Sequence, residues 1–95
     1  MRNKENFLEI IYKCAEELNK QLSEEEKITL EESTTLIGEN SALDSLGIVM
    51  LMISVEEHIA NRGININIMD VLMASDKPPF ETIGEMSLWL LQKSS

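Results

Sequence analysis

Leu43-Asp44-Ser45-Leu46-Gly47-Ile48-Val49-Met50-Leu51-Met52-Ile53-Ser54-Val55-Glu56-Glu57 is the stretch from which the rest of the chain is read. Between Leu46 and Val55 only Gly47 and Ser54 are not large apolar residues. Asp44 has the chemistry of a helix N-cap. Asn61 and Gly63 supply the stop, so the pattern predicts a helix over about 44–61. Ile48, Leu51, Met52, Val55 and Ile59 fall at i, i+3, i+4, i+7 spacing and form the expected core face. Leu46, Val49, Met50 and Ile53 form a second apolar stripe that ends at Glu56 and Glu57. A bundle this small can hardly bury a helix on all sides. Two arrangements stay open: the second stripe is an exposed interaction surface, or the long segment before the helix covers it. Methionine suits a surface that adapts to several partners.

Ser45 stands at the first turn of that helix. There the free backbone N–H groups and the positive end of the helix dipole favour bound phosphate. We read Ser45 as a modification site, with an outward hydroxyl, rather than as a catalytic nucleophile.

Working outward toward the N-terminus, Phe7, Ile10, Ile11, Cys14 and Leu18 fall at helical spacing, with Glu9, Lys13, Glu16 and Glu17 opposite. This predicts an amphipathic helix over about 3–22. The connection 23–43 is rich in Glu, Ser and Thr, and Ser23 with Glu26 fits a capping box for a short extra turn. Loops of this length are usually functional or disordered. Ile28, Leu30, Leu36 and Ile37 offer anchors, so this one is expected to wrap across the bundle.

Toward the C-terminus, Ile64-Asn65-Ile66-Asn67-Ile68 alternates with period two. No strong second strand exists to pair with it, so it is expected to be an extended linker with inward isoleucines. A short helix follows over about 69–75, ended by Asp76-Lys77-Pro78-Pro79. The segment 69–79 is expected to be conformationally loose. Thr82 and Glu85 match a capping box, with Phe80 as a staple residue, and open a last helix over about 82–93. Its apolar stripe is Ile83, Met86, Trp89 and Leu90. The sum is one all-α domain, a small four-helix bundle with three main helices, one short third helix and a long first loop.

Seventeen acids against eight bases leave a net charge of −9 on 95 residues. That disfavours nucleic acid and anionic membranes as partners. It favours basic patches on other proteins. A single cysteine excludes an internal disulfide, no apolar stretch is long enough to cross a bilayer, and no signal peptide is visible. A cytoplasmic monomer is expected. Cys14 reads as a buried structural thiol and His58 as an exposed helix residue. A zinc site needs more nitrogen or sulfur ligands than the chain offers. Glu24, Glu25, Glu26, Glu31, Glu32 and Glu39 lack an EF-hand pattern and read as a solvated face, so no metal is expected. No acid–base pair or nucleophile with a partner supports catalysis, and the chain is expected not to be an enzyme.

Leu43-Asp44-Ser45-Leu46-Gly47-Ile48, with Glu56-Glu57 at the end of the same helix, resembles the acyl carrier protein family. The resemblance runs from about Leu36 to Leu91. Gly38 to Leu43 is similar to the loop before the family's serine, and Phe80 to Glu85 to the start of its last helix. The resemblance implies a bundle of the acyl-carrier type. It also implies 4′-phosphopantetheine on Ser45, attached from coenzyme A by an Mg²⁺-dependent phosphopantetheinyl transferase. Asp44 would cap the helix and assist the transferase complex. Acyl-loading and acyl-transferring enzymes would be the further partners, meeting the face of Leu46, Val49, Met50, Ile53, Glu56 and Glu57. Where fatty-acid carriers of the family often have acids early in this helix, Gly47 and Met50 stand here. That favours a dedicated pathway over primary fatty-acid synthesis. The chain begins at Met1 and ends soon after the last helix, which favours a free-standing carrier. An aminoacyl or peptidyl carrier, and a small acidic interaction bundle without a prosthetic group, are the alternatives.

Overall fold

The chain is described from a computed structural model covering residues 3–74 and 77–94. The expected end of the short helix at Ser75, and the stop at Asp76, lie outside the described residues. Among the described residues there are four helices and no strand: α1 (Lys4–Asn19), α2 (Ser45–Ala60), α3 (Ile68–Met73) and α4 (Ile83–Ser94). The radius of gyration, 12.4 Å, is that of a folded chain of this length.

Phe7, Ile10, Ile11, Cys14, Ala15 and Leu18 of α1 are buried. They pack against Leu51, Met52, Val55 and Ile59 of α2 and Ile83, Met86, Trp89 and Leu90 of α4 in a single core. Ile48, expected in that core, is only half-buried and lies at its edge. Helix α1 contacts both α2 and α4, whereas α3 packs mainly on α2.

The helix ends follow local chemistry. Asn3 caps α1, its side chain accepting the Asn6 N–H at 2.8 Å. α1 stops at Asn19, before the expected Leu22. Lys20, Gln21 and Leu22 bond back three residues instead of four, the tighter turn that often closes a helix. At the other end of α2, Ile64 N–H reaches Ile59 O and Gly63 N–H reaches Ala60 O, both at 3.0 Å. Gly63 has φ +83°, the left-handed residue that this closure requires. Ile64 and Ile59 are both buried, which supplies the closure's apolar contact.

The extended linker forms as expected. Ile64 and Ile68 are buried, Ile66 is half-buried, and Asn65 and Asn67 face solvent. At α4, Glu85 N–H donates to Thr82 Oγ1 at 3.1 Å, and Glu85 Oε1 accepts the N–H groups of Thr82 (3.2 Å) and Glu81 (2.9 Å). Phe80 is buried and sets its ring 5.4 Å from that of Trp89.

The long first loop crosses the bundle as a strap. Leu36 N–H and Ile37 N–H both donate to Glu81 O, at 2.7 and 3.2 Å. Ile83 N–H donates to Thr34 O and Gly84 N–H to Glu32 O. Thr35 and Thr82 make an isolated antiparallel bridge. Ile28 is held from both sides of its peptide by the Asn19 amide, at 2.9 and 3.0 Å. Ile28 and Leu36 are buried anchors, and Ile37 packs on the core. Leu30 is not an anchor: it is exposed, because neighbouring backbone bonds hold the strap with this side chain outward. Ser23 and Glu26 bond to each other side chain to side chain at 2.7 Å, while the Glu26 N–H goes to Ser23 O. A turn forms there, without the expected side-chain capping of N–H groups.

Candidate functional site

The first turn of α2 is fixed from three directions. Beneath it, Leu43 is buried and pins the chain to the core. Behind it, a closed loop sets the approach. Ala42 N–H donates to Thr35 O, Ser41 Oγ donates to Leu36 O, and Leu43 N–H donates to Ser41 Oγ at 3.1 Å. At the helix start, Asp44 is extended (φ −78°, ψ 178°) and its Oδ1 accepts the Gly47 N–H at 2.7 Å. This is the N-cap expected from the sequence. Gly47 is buried, and a Cβ there would lie 3.2 Å from both Asp44 Oδ1 and Leu43 Cδ2. The glycine therefore lets Leu43 and the cap carboxylate close under the turn.

Ser45 is the first residue of α2 and is exposed, between exposed Asp44 and exposed Leu46. Ile48 N–H to Asp44 O, 3.0 Å, is the first backbone bond of the helix. The N–H groups of Ser45 and Leu46 thus have no intrahelical acceptor, and the dipole's positive end lies at the hydroxyl. A phosphate on this oxygen fits: the hydroxyl is open to solvent and the local backbone favours negative charge.

Beside Ser45 the second stripe of α2 is largely uncovered. Leu46 is 67 % exposed, Ile53 46 % and Met50 37 %, and Val49 is half-buried. The strap crosses to α4 instead of covering this stripe, so the stripe is exposed rather than covered by the long first loop. Glu57 is exposed, but Glu56 is half-buried and its Oε1 accepts the Met69 N–H at 2.8 Å. α3 has no side-chain cap of its own from Asn67, so Glu56 supplies one from the neighbouring helix. The structure thus brings Asp44, Ser45, Leu46, Met50 and Ile53 to one end and edge of α2, and turns Glu56 toward α3.

Two contacts had no signal in the sequence. His58, expected to be exposed, is half-buried: its Nδ1 lies 2.9 Å from Ser54 O and 3.5 Å from Cys14 Sγ across the α1–α2 seam. A carbonyl only accepts, so Nδ1 carries the proton. Cys14 is buried as expected. Burial pushes its thiol above the ordinary value and Glu17 adds to this, while the Ser54 hydroxyl and Lys13 oppose it. Such a thiol is inert rather than poised for attack. Tyr12 is also raised, by burial first and then by Glu32 and Glu31, with Lys4 opposing.

A cleft of about 240 Å³ lies beside the turn, lined by Leu18, Gln21, Leu22, Asp44, Leu46, Gly47 and Met50. A second hollow of about 360 Å³ shares Leu22 and Asp44 with it and adds Glu26, Ser41, Ala42 and Leu43. Among the described residues no helix is long and apolar enough to cross a membrane.

No protein-family model, curated protein or solved structure matches this chain. The functional reading rests on the residues and their arrangement.

Proposed function

We propose that this chain is a carrier protein of the acyl-carrier type, which holds acyl intermediates as thioesters on a 4′-phosphopantetheine arm at Ser45 and presents them to partner enzymes. The observation that carries the reading is the exposed Ser45 hydroxyl at the start of α2, next to an aspartate already in its capping geometry. In the attachment step the Ser45 oxygen bonds to the pantetheine-bearing phosphorus of coenzyme A. The pyrophosphate bond breaks, adenosine 3′,5′-bisphosphate leaves, and the serine proton passes to a base of the transferase. The arm supplies the thiol on which cargo is carried. The chain's own contribution is position and recognition. The helix start favours the new phosphodiester charge, and Asp44 holds that start rigid.

Leu46, Met50 and Ile53 form the surface for acyl-loading and acyl-transferring enzymes, with Glu57 beside it. Met50→Glu is expected to slow cargo loading while leaving helicity unchanged. A dedicated pathway is favoured because the partner surface is more apolar than acidic.

The test is incubation with coenzyme A, Mg²⁺ and a broad-specificity phosphopantetheinyl transferase, read by intact mass. Wild type gains the mass of the arm, and Ser45→Ala does not. Absence of a gain with several competent transferases refutes the carrier reading and leaves a small acidic interaction bundle.

A further inference from the structure

We infer that the linker between α2 and α3, with the hollow it shares with α4, docks an extended segment of a partner protein as an added β-strand. The segment has an aliphatic centre flanked by Lys or Arg. The hollow, about 450 Å³, is lined by Asn65, Ile66 and Asn67 of the linker, Val71 of α3 and Trp89 of α4. It takes no residue from the Ser45 turn. The surface is separate from the attachment serine and stands whether or not the carrier reading does.

The kind of occupant follows from main-chain groups that lack partners. Among the described residues, nothing bonds the N–H groups of Asn65, Ile66 and Asn67 or the C=O groups of Ile64 and Asn65. Alternate residues of an extended chain turn their N–H and C=O to the same edge. Asn65 therefore offers a donor and an acceptor on one edge, and Asn67 adds a donor. The opposite edge is partly used, because Ile66 O accepts the Ile68 N–H at 3.1 Å. A strand laid against Asn65 makes the paired N–H···O bonds of an antiparallel ladder, with a third bond at Asn67. Buried Ile64 and Ile68 already hold the linker at both ends, so docking need not order it.

Size and charge narrow the partner further. At about 30 Å³ for a water-sized group, the hollow holds roughly fifteen such groups, about two residues. Val71 and Trp89 offer the apolar wall for an aliphatic side chain. Asp70, also in the lining, is exposed and makes no ion pair. An adjoining hollow of about 260 Å³ shares Trp89 and contributes Glu85. Lys93 is the one cation in either lining. Two carboxylates against one ammonium, on a chain of net charge −9, favour basic flanks on the segment. The same net charge opposes a second copy of this chain at the open edge.

The probe is the peptide acetyl-Lys-Val-Thr-Val-Lys-amide, titrated into the ¹⁵N-labelled chain. Saturable shifts are expected at the amides of 65–67 and Val71 and at the Trp89 indole, with slower hydrogen exchange at Asn65 and Asn67. Two analogues carry N-methyl groups, one on the central Thr and the other on both Val residues. Strand addition uses one edge of the peptide, so one analogue is expected to bind about tenfold more weakly and the other nearly as well as the parent. Asn65→Pro removes a linker donor and is expected to weaken binding about tenfold, with helicity unchanged by circular dichroism. Asp70→Asn is expected to weaken binding about threefold and Lys93→Gln to tighten it about threefold, both differences shrinking in high salt. Equal binding by the two analogues overturns strand addition. So does the absence of saturable shifts, or shifts confined to Leu46, Met50 and Ile53. Linker shifts that grow with protein concentration before peptide is added assign the edge to a second copy and overturn the proposal as well. None of these readouts involves Ser45, so the carrier reading stands or falls separately.

Discussion

Asp44 caps α2, and the proposed carrier function would give it a second task in the transferase complex; substitution distinguishes the two. In Asp44→Ala the oxygen that accepts the Gly47 N–H at 2.7 Å is gone. The loss of an N-cap costs about 1 kcal/mol. Loss of negative charge at the helix start adds roughly 0.3–1 kcal/mol. The total of about 1.5 kcal/mol corresponds to a fall in Tm of about 6–12 °C for a domain of this size. Asp44→Asn keeps the acceptor and is expected to lose only the charge contribution, under about 1 kcal/mol. Urea and thermal unfolding followed by circular dichroism measure both. The transferase rate is then compared at a temperature where all three proteins are folded. If the carboxylate assists the transferase complex, Asn and Ala variants are slowed alike despite their different stabilities. The capping argument is refuted if Asp44→Ala unfolds within about 0.3 kcal/mol of wild type, or if Asn and Ala destabilise equally.

Three further outcomes follow from contacts away from the serine. Gly84→Ala would place a Cβ 3.1 Å from Glu32 Cβ and 3.2 Å from Glu32 O; overpacking outweighs the helix propensity gained, giving a net loss of about 1–2 kcal/mol in urea unfolding. Burial raises Cys14 above its ordinary 9.0 and Tyr12 above 10.0. The folded state therefore keeps these protons while the unfolded chain releases them, so stability is full below about pH 9 and declines above it. Cys14→Ala is expected to flatten the first part of that decline, measured as urea midpoints between about pH 8 and 10.5. Glu56→Ala removes the acceptor of Met69 N–H and is expected to speed hydrogen exchange in α3 about fivefold, with α1 unchanged.

Local chemistry was legible in the sequence, and contacts between distant segments were not. The Asp44 cap, the Gly63 stop, the Thr82–Glu85 box and the inward isoleucines of the linker each depend on residues within a few positions of one another. Periodicity placed Phe7 to Leu18 and Leu51 to Ile59 in the core. It overran the end of α1, because Leu22 keeps an apolar phase that the backbone bonding does not follow. The strap's pairing with residues 81–84 has no periodic signature, since it uses main-chain groups almost alone. Neither the outward position of Leu30 nor the exposure of the second stripe therefore has a local signal. The Cys14–His58 contact spans 44 positions and joins two residues that look unremarkable on their own helices. In sequence Glu56 stands with Glu57 at the end of the second stripe, whereas its hydrogen-bond partner is thirteen positions onward.

The alternating linker has a consequence for handling the protein. Ile64 to Ile68 is an uncharged segment of strand-like composition, kept out of harm by docking at both ends, through the α2 closure and the start of α3. Loosening of α3 would bare backbone and isoleucine side chains together, in the pattern from which intermolecular β-assembly grows. Arg62 and Asp70 bracket the segment, the flanking charges that oppose such assembly in general. Neutralising both is expected to raise the tendency to assemble at high concentration.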